Sequence, residues 1–161
     1  MNTLRWILGV LALLVLLVWL VGRFGGLRGH QPADIGAREG RLKPPSRTPN
    51  SVSSQADLYP EHPMREYARI AALPASGGPS ASIARVRAVV ERMPGATVAE
   101  QRDDYLYAQF ETPALRFVDD VEFWYDPAAQ VVAVRSASRI GRKDFGVNRT
   151  RIEAIRGQLL H

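Results

Sequence analysis

Residues 6–22 read WILGVLALLVLLVWLVG, seventeen consecutive positions without a charge, closed by Arg5 and Arg23. As an α-helix this run is roughly 26 Å long, near the short end of what crosses a bilayer core. It is apolar on every face, so a soluble fold would have to surround it completely. A chain of 161 residues is too short to build that core as well as its own. Trp6 and Trp19 sit where the two membrane interfaces would lie. The run exceeds a typical signal-peptide core, and no small-x-small cleavage site follows it. Residues 1–23 therefore read as a retained transmembrane signal-anchor, with the bilayer as partner through residues 6–22.

The formal charge of +5 is unevenly placed. Residues 1–50 hold seven of the 21 basic side chains and two of the 16 acids, which leaves fourteen of each beyond them. A neutral domain with a basic segment beside an apolar helix suits a membrane surface and argues against a nucleic-acid partner. The chain has no cysteine, which excludes disulfides, thiolate chemistry and lipidation at a cysteine. Arg23, Arg28 and Arg38 follow the apolar run, whereas Arg5 precedes it; this count favours a cytoplasmic domain.

Residues 24–63 are rich in Gly, Pro and Ser and carry no sustained period, so residues 24–48 read as a flexible linker and 49–161 as the globular domain. Residues 64–73 fit either a short helix or an edge strand at 68–72; the strand is the preferred reading. Ile83, Val86, Val90 and Met93 recur at the helical period, predicting a helix over 82–93 that Ser80 or Ser82 could cap and Pro94-Gly95 stops. The period then falls to two. Strands are expected over 96–101, 105–112, 117–125 and 131–139, and a final helix over 148–160 with Asn148 as its cap. The fold class is α+β: an antiparallel sheet of about four strands with two helices on one face.

The 117–125 and 131–139 pair has a single register that keeps its faces distinct. Val121, Phe123 and Tyr125 must share a side with Val132 and Val134. Phe123 opposite Val134 achieves this, and places Glu122 opposite Arg135. The second face would then present Asp120, Glu122, Trp124, Arg135 and Arg139.

Residues 117–155, FVDDVEFWYDPAAQVVAVRSASRIGRKDFGVNRTRIEAI, resemble the bacterial and plastid family called domain of unknown function 1499. Its acidic pair, E-F and R-S-A-S-R-x-G-x-x-D-x-G-x-N-R-x-R pattern are met from Asp119 through Arg151. Upstream, Pro49-Asn50-Ser51-Val52-Ser53-Ser54 is similar to the family's P-N-C-V-S-S, with Ser51 replacing the usual cysteine. The resemblance spans roughly 42–160 and implies a fold and an exported or membrane-attached location, without an activity. It favours an inner-membrane protein with a periplasmic domain, against the charge count; a cytoplasmic domain is the alternative.

No serine-hydrolase elbow, P-loop or dinucleotide fingerprint occurs, and none of the three histidines sits in a catalytic motif. No catalytic residue, metal or cofactor is expected. Arg135 and Arg139 would neutralise Asp120 and Glu122 as a cross-strand ion network. The loop to the last helix could hold an anion between arginines and a helix N-terminus. The candidate ligand-binding residues are thus Asp120, Glu122, Arg135, Ser138, Arg139, Asp144, Asn148 and Arg149. The function expected is a membrane-anchored envelope module that binds an anionic ligand or protein partner without catalysis. The alternative is a hydrolase or transferase acting on an anionic envelope substrate.

Overall fold

A computed structural model describes residues 2–160. Met1 and His161, the outermost positions of the expected anchor and domain, lie outside the described residues. Helix α1 (Asn2–Arg23) is long and apolar enough to cross a membrane, and its most apolar 18-residue stretch is not buried against the rest of the chain, whereas Gly22 near its end is.

The sheet is antiparallel throughout, and its four long strands are β3 (Ala96–Gln101), β4 (Tyr105–Glu111), β5 (Val118–Asp126) and β6 (Val131–Ser138). Two short strands, β1 (Ser51–Ser53) and β2 (Leu73–Pro74), pair with different stretches of β6. The order is β1-β6-β5-β4-β3, with β2 sharing the β6 edge. The expectation of about four strands is corrected to six. Three- and two-residue segments are too short to show an alternation. Of the strand expected at 68–72, Ala68 closes a helical turn, α2 (Arg65–Ala68), Arg69 makes an isolated parallel bridge to Ser53, and the ladder with β6 starts at Leu73. Pro74 ends it, since proline has no N–H to offer a ladder.

Helices α3 (Pro79–Val90) and α4 (Val147–Leu159) cover one face of the sheet. Ile83, Val86 and Val90 meet Ile152, Ile155 and Leu159 over Leu106, Phe110, Val121, Phe123, Val132 and Val134. This is the apolar face that the alternation predicts.

Both expected caps are corrected. The N-cap of α3 is Gly78, with Pro79 in the first helical position, where its missing N–H costs nothing. Ser82 instead accepts from Ser76 N at 2.9 Å and donates back to Ser76 O. Gly146 is the N-cap of α4, and the Asp144 carboxylate accepts from Gly146 N and Asn148 N. Asp144 is therefore the capping side chain, and Asn148 is free for other bonds.

The β5–β6 register is the one deduced: Phe123 pairs with Val134, Glu122 with Arg135 and Asp120 with Ala137. The second face, however, is covered. Leu42 is buried there against Tyr105, Tyr107 and Ala133, with Ile35, Ala37 and Trp124 packed around them. Leu42 N donates to Gln55 Oε1 at 2.7 Å, Gln55 Nε2 donates to Gly40 O, and Tyr59 Oη donates to Leu42 O. Residues 34–45, without a period of their own, are thus laid across the sheet as a cover.

Candidate functional site

The candidate residues fall on opposite faces of the sheet, because β-strand side chains alternate. Asp120, Glu122, Arg135 and Arg139 lie on the face that carries the cover, which bonds Glu122 and Arg135. Ser138, Asp144, Asn148 and Arg149 lie on the helical side. The structure does not bring the eight together.

On the cover's side of the sheet, Arg139 grips Asp120 through Nε at 2.9 Å and Nη2 at 2.7 Å. Tyr107 Oη donates to the same carboxylate and accepts from Arg139. The bond to Asp120 raises the Arg139 guanidinium above its ordinary range. Burial, aided by Asp120, pushes the Tyr107 phenol up to about 12. The second pair is looser. Arg135 Nη1 stands 3.8 Å from Glu122 Oε2, too far for a hydrogen bond. Glu122 Oε1 accepts instead from Gly36 N at 2.8 Å and Tyr105 Oη at 2.9 Å. Its Oε2 is buried with no hydrogen-bond partner among the described residues. Arg135 donates through Nε to Pro44 O, and burial holds its guanidinium below the usual arginine range despite Glu122 and Asp34. The cover is therefore hydrogen-bonded to both members of the pair.

On the other face, Asn148 Nδ2 donates to Asn50 O, Ser138 Oγ and Asp144 Oδ2, and Ser136 Oγ donates to Asn148 Oδ1. Arg151 reaches Asn148 Oδ1 and pairs with Asp119 at 2.6 Å. Tyr67 Oη donates to Asp144. Burial would raise the Asp144 pKa, but bonds from Tyr67, Gly146 N and Asn148 outweigh it and hold the carboxyl below its ordinary value. Arg149 donates to Tyr67 O and Arg69 O. This cluster ties β1, β6, α2 and α4 together, and its polar groups are largely occupied by one another. Ser138 is held by Asn148, while His62 Nδ1 accepts from Met64 N; the two are not partners.

Sequence reasoning missed Tyr105, Tyr107, Asn50, Gln55, Arg151 and the cover. The alternation in β4 already placed Tyr105 and Tyr107 on one side, and pairing Tyr107 with Glu122 would have brought them to the acids. Asn50 falls in the Pro49–Ser54 motif, but its bonds to Ser138 O and Gly141 O reach 88 and 91 residues away, and Gln55 carries no motif at all. Above Arg135 the cover forms a recess of about 240 Å³, lined by Asp34, Gly36, Arg38, Arg41, Leu42, Lys43, Pro44 and Tyr59. Lys43 pairs with Asp34. Arg38 and Arg41 flank a two-residue turn, with Glu39 and Gly40 both at positive φ, and exchange backbone hydrogen bonds. Their exposed side chains occupy facing positions of this turn.

Among known families, the sequence model described as "Protein of unknown function (DUF1499)" matches residues 41–159. The chain belongs to the DUF1499 family. No curated protein matches it. The matched DUF1499 region begins at Arg41, so Leu42, Lys43 and Pro44 fall within it, while Asp34 and Gly36 lie upstream. In this member Ser51, at the place of the usual cysteine, is buried and accepts from Ser46 N at 2.8 Å.

Proposed function

We propose that this DUF1499 protein is a membrane-anchored, non-catalytic binding module whose ligand is an anion, either a small molecule or an acidic segment of a protein partner. Helix α1 would be the anchor in the inner membrane, with the domain on the periplasmic side. The recess in the cover carries the reading. Arg38, Arg41 and Lys43 line it against one acid, Asp34, and Arg135 lies behind it through its bond to Pro44 O. Like charges on facing positions of a hairpin destabilise it. An anion between Arg38 and Arg41 would relieve that repulsion and recruit two charge-assisted donors.

Inorganic pyrophosphate titrated calorimetrically into the detergent-solubilised full chain at low ionic strength tests this. Saturable binding is expected, weakened about tenfold, equal to about 1.4 kcal/mol, by Arg41→Ala. Binding that is absent, or indifferent to Arg38→Ala and Arg41→Ala alike, would overturn the assignment.

A further inference from the structure

The end of the sheet that adjoins α1 is unlike the rest of the surface. β4 ends there, β5 begins, β6 ends and α4 starts, since Phe110, Asp119 and Ser138 are aligned across the strands. The anchor is pressed against this end. A Cβ on Gly22 would stand 2.7 Å from Leu115 O, and Arg116 Nη1 donates to Arg23 O. The chain beyond the helix stays close, because a Cβ on Gly29 would meet Arg139 Cβ at 2.9 Å and Ile140 Cγ1 at 3.0 Å.

Large apolar side chains are exposed on the same end: Ile140 is 40% exposed, Val147 48% and Phe145 93%. Phe145 and Val147 line an apolar hollow of about 400 Å³ with Met93 and Pro113. Phe145 also has a φ of +52°, a left-handed backbone that a bulky residue adopts at a cost. The fold thus holds an aromatic ring outward instead of burying it. Arg142 and Lys143 sit between these side chains, exposed and without an ion-pair partner among the described residues. The acids nearby are already engaged: Glu111 by Arg28 and Arg116, Asp119 by Arg151 and Asp120 by Arg139.

We infer that the loop of residues 140–147 is a second membrane contact, seated on anionic phospholipid beside the protein's own anchor. This rests on the reading of α1 as a membrane anchor. Exposed aromatic and aliphatic side chains interleaved with unpaired cations are the chemistry of an interfacial segment, whose apolar groups enter roughly 5–10 Å into the headgroup boundary. Arg142 and Lys143 would meet lipid phosphates, so seating depends on anionic lipid and weakens with salt. The position of the anchor selects the occupant, because a bilayer around α1 lies against this end.

The chain has no cysteine, so single-cysteine nitroxide labels report one position each. The full chain, labelled at Phe145→Cys, Leu14→Cys or Ala128→Cys, is reconstituted into phosphatidylcholine vesicles with or without phosphatidylglycerol. The ratio of oxygen to water-soluble nickel-chelate accessibility is then measured. The expected result is Leu14 in hydrocarbon and Ala128, in the turn at the far end of the sheet, in water. Position 145 should report the interface, with a several-fold higher ratio when phosphatidylglycerol is present. Arg142→Glu with Lys143→Glu should abolish that dependence. Leu14 in hydrocarbon with position 145 as wet as Ala128 would overturn the docking and leave the anchor standing. Leu14 in water would remove the anchor and this inference with it. Protection of position 145 that follows protein density and not phosphatidylglycerol would mean that a second copy covers the loop, and would also overturn it.

Discussion

The two faces of this sheet are built from the same strands by opposite means. One face is aliphatic and aromatic over most of its area, closed by two amphipathic helices, with directional bonds confined to the cluster around Asn148 and the Asp119–Arg151 pair at one end. The other is a lattice of carboxylates, guanidinium groups and phenols, closed by an extended strip whose Gly36 N and Pro44 O bond Glu122 and Arg135. The first face tolerates changes of shape that conserve volume. The second tolerates little, because each buried charge depends on partners that can be lost one at a time.

The difference can be tested where it is largest. Arg135→Ala would leave Glu122 buried beside a vacated site, and breaking a buried pair costs about 3 kcal/mol or more. Since the pair stands at 3.8 Å without a hydrogen bond, the low end is expected. Glu122→Ala should also destabilise, and the double variant should cost less than the two singles together. Urea midpoints of the four proteins measure this, and strictly additive costs would mean the two charges do not sense each other.

A smaller effect tests whether the cover is part of the core. Leu42 is 1% exposed, so Leu42→Ala should cost about 2–3 kcal/mol, as at a helix-covered site. A urea midpoint unchanged within error would show that residues 34–45 merely rest on the sheet.

The smallest concerns alkaline pH. Tyr107 titrates near 12 in the fold against an ordinary value near 10, so its neutral form is favoured by folding. Its contribution is fully present below pH 10 and is lost as pH rises through about 12. Tyr107→Phe should cost about 1 kcal/mol at neutral pH and lessen the fall in stability between pH 10 and 12. Tyr67, also raised to about 12 by burial and Asp144, should preserve part of that fall. Stability measured across this window in both proteins decides it.

The apolar face was legible in the sequence, because helical and strand periods point at a common interior. Ile83, Val86 and Val90 mark α3, and Phe123 with Val134 fixes the register of β5 and β6. The polar face was legible only as a list of side chains. Its register placed Glu122 opposite Arg135, yet nothing local showed that Gly36 N and Pro44 O would complete their bonds. Those partners are backbone groups of a segment without a period, and main-chain donors and acceptors leave no mark in residue identity. The split of the eight candidate residues was implicit in the alternation: Ser138 and Arg139 are neighbours in sequence and point to opposite sides. Asp144 and Asn148 exchanged roles because either can cap a helix, and the choice was made by Asn50 and Ser138, which engage Asn148 from other elements.

The cover also sets an order of events in synthesis. Gly36 is 86 residues from Glu122, and Pro44 is 91 from Arg135. The strip leaves the ribosome before the sheet, and until the strands have followed it only Gln55 and Tyr59 are there to bond it. Contacts of such separation are slow to form, since a long loop must close before any of them is gained. Helix α3 and the hairpins of β3, β4 and β5 can assemble from nearer neighbours in the meantime. A nascent chain stalled before β6 would therefore carry an unfinished aliphatic core and a row of charges still without the strip's bonds.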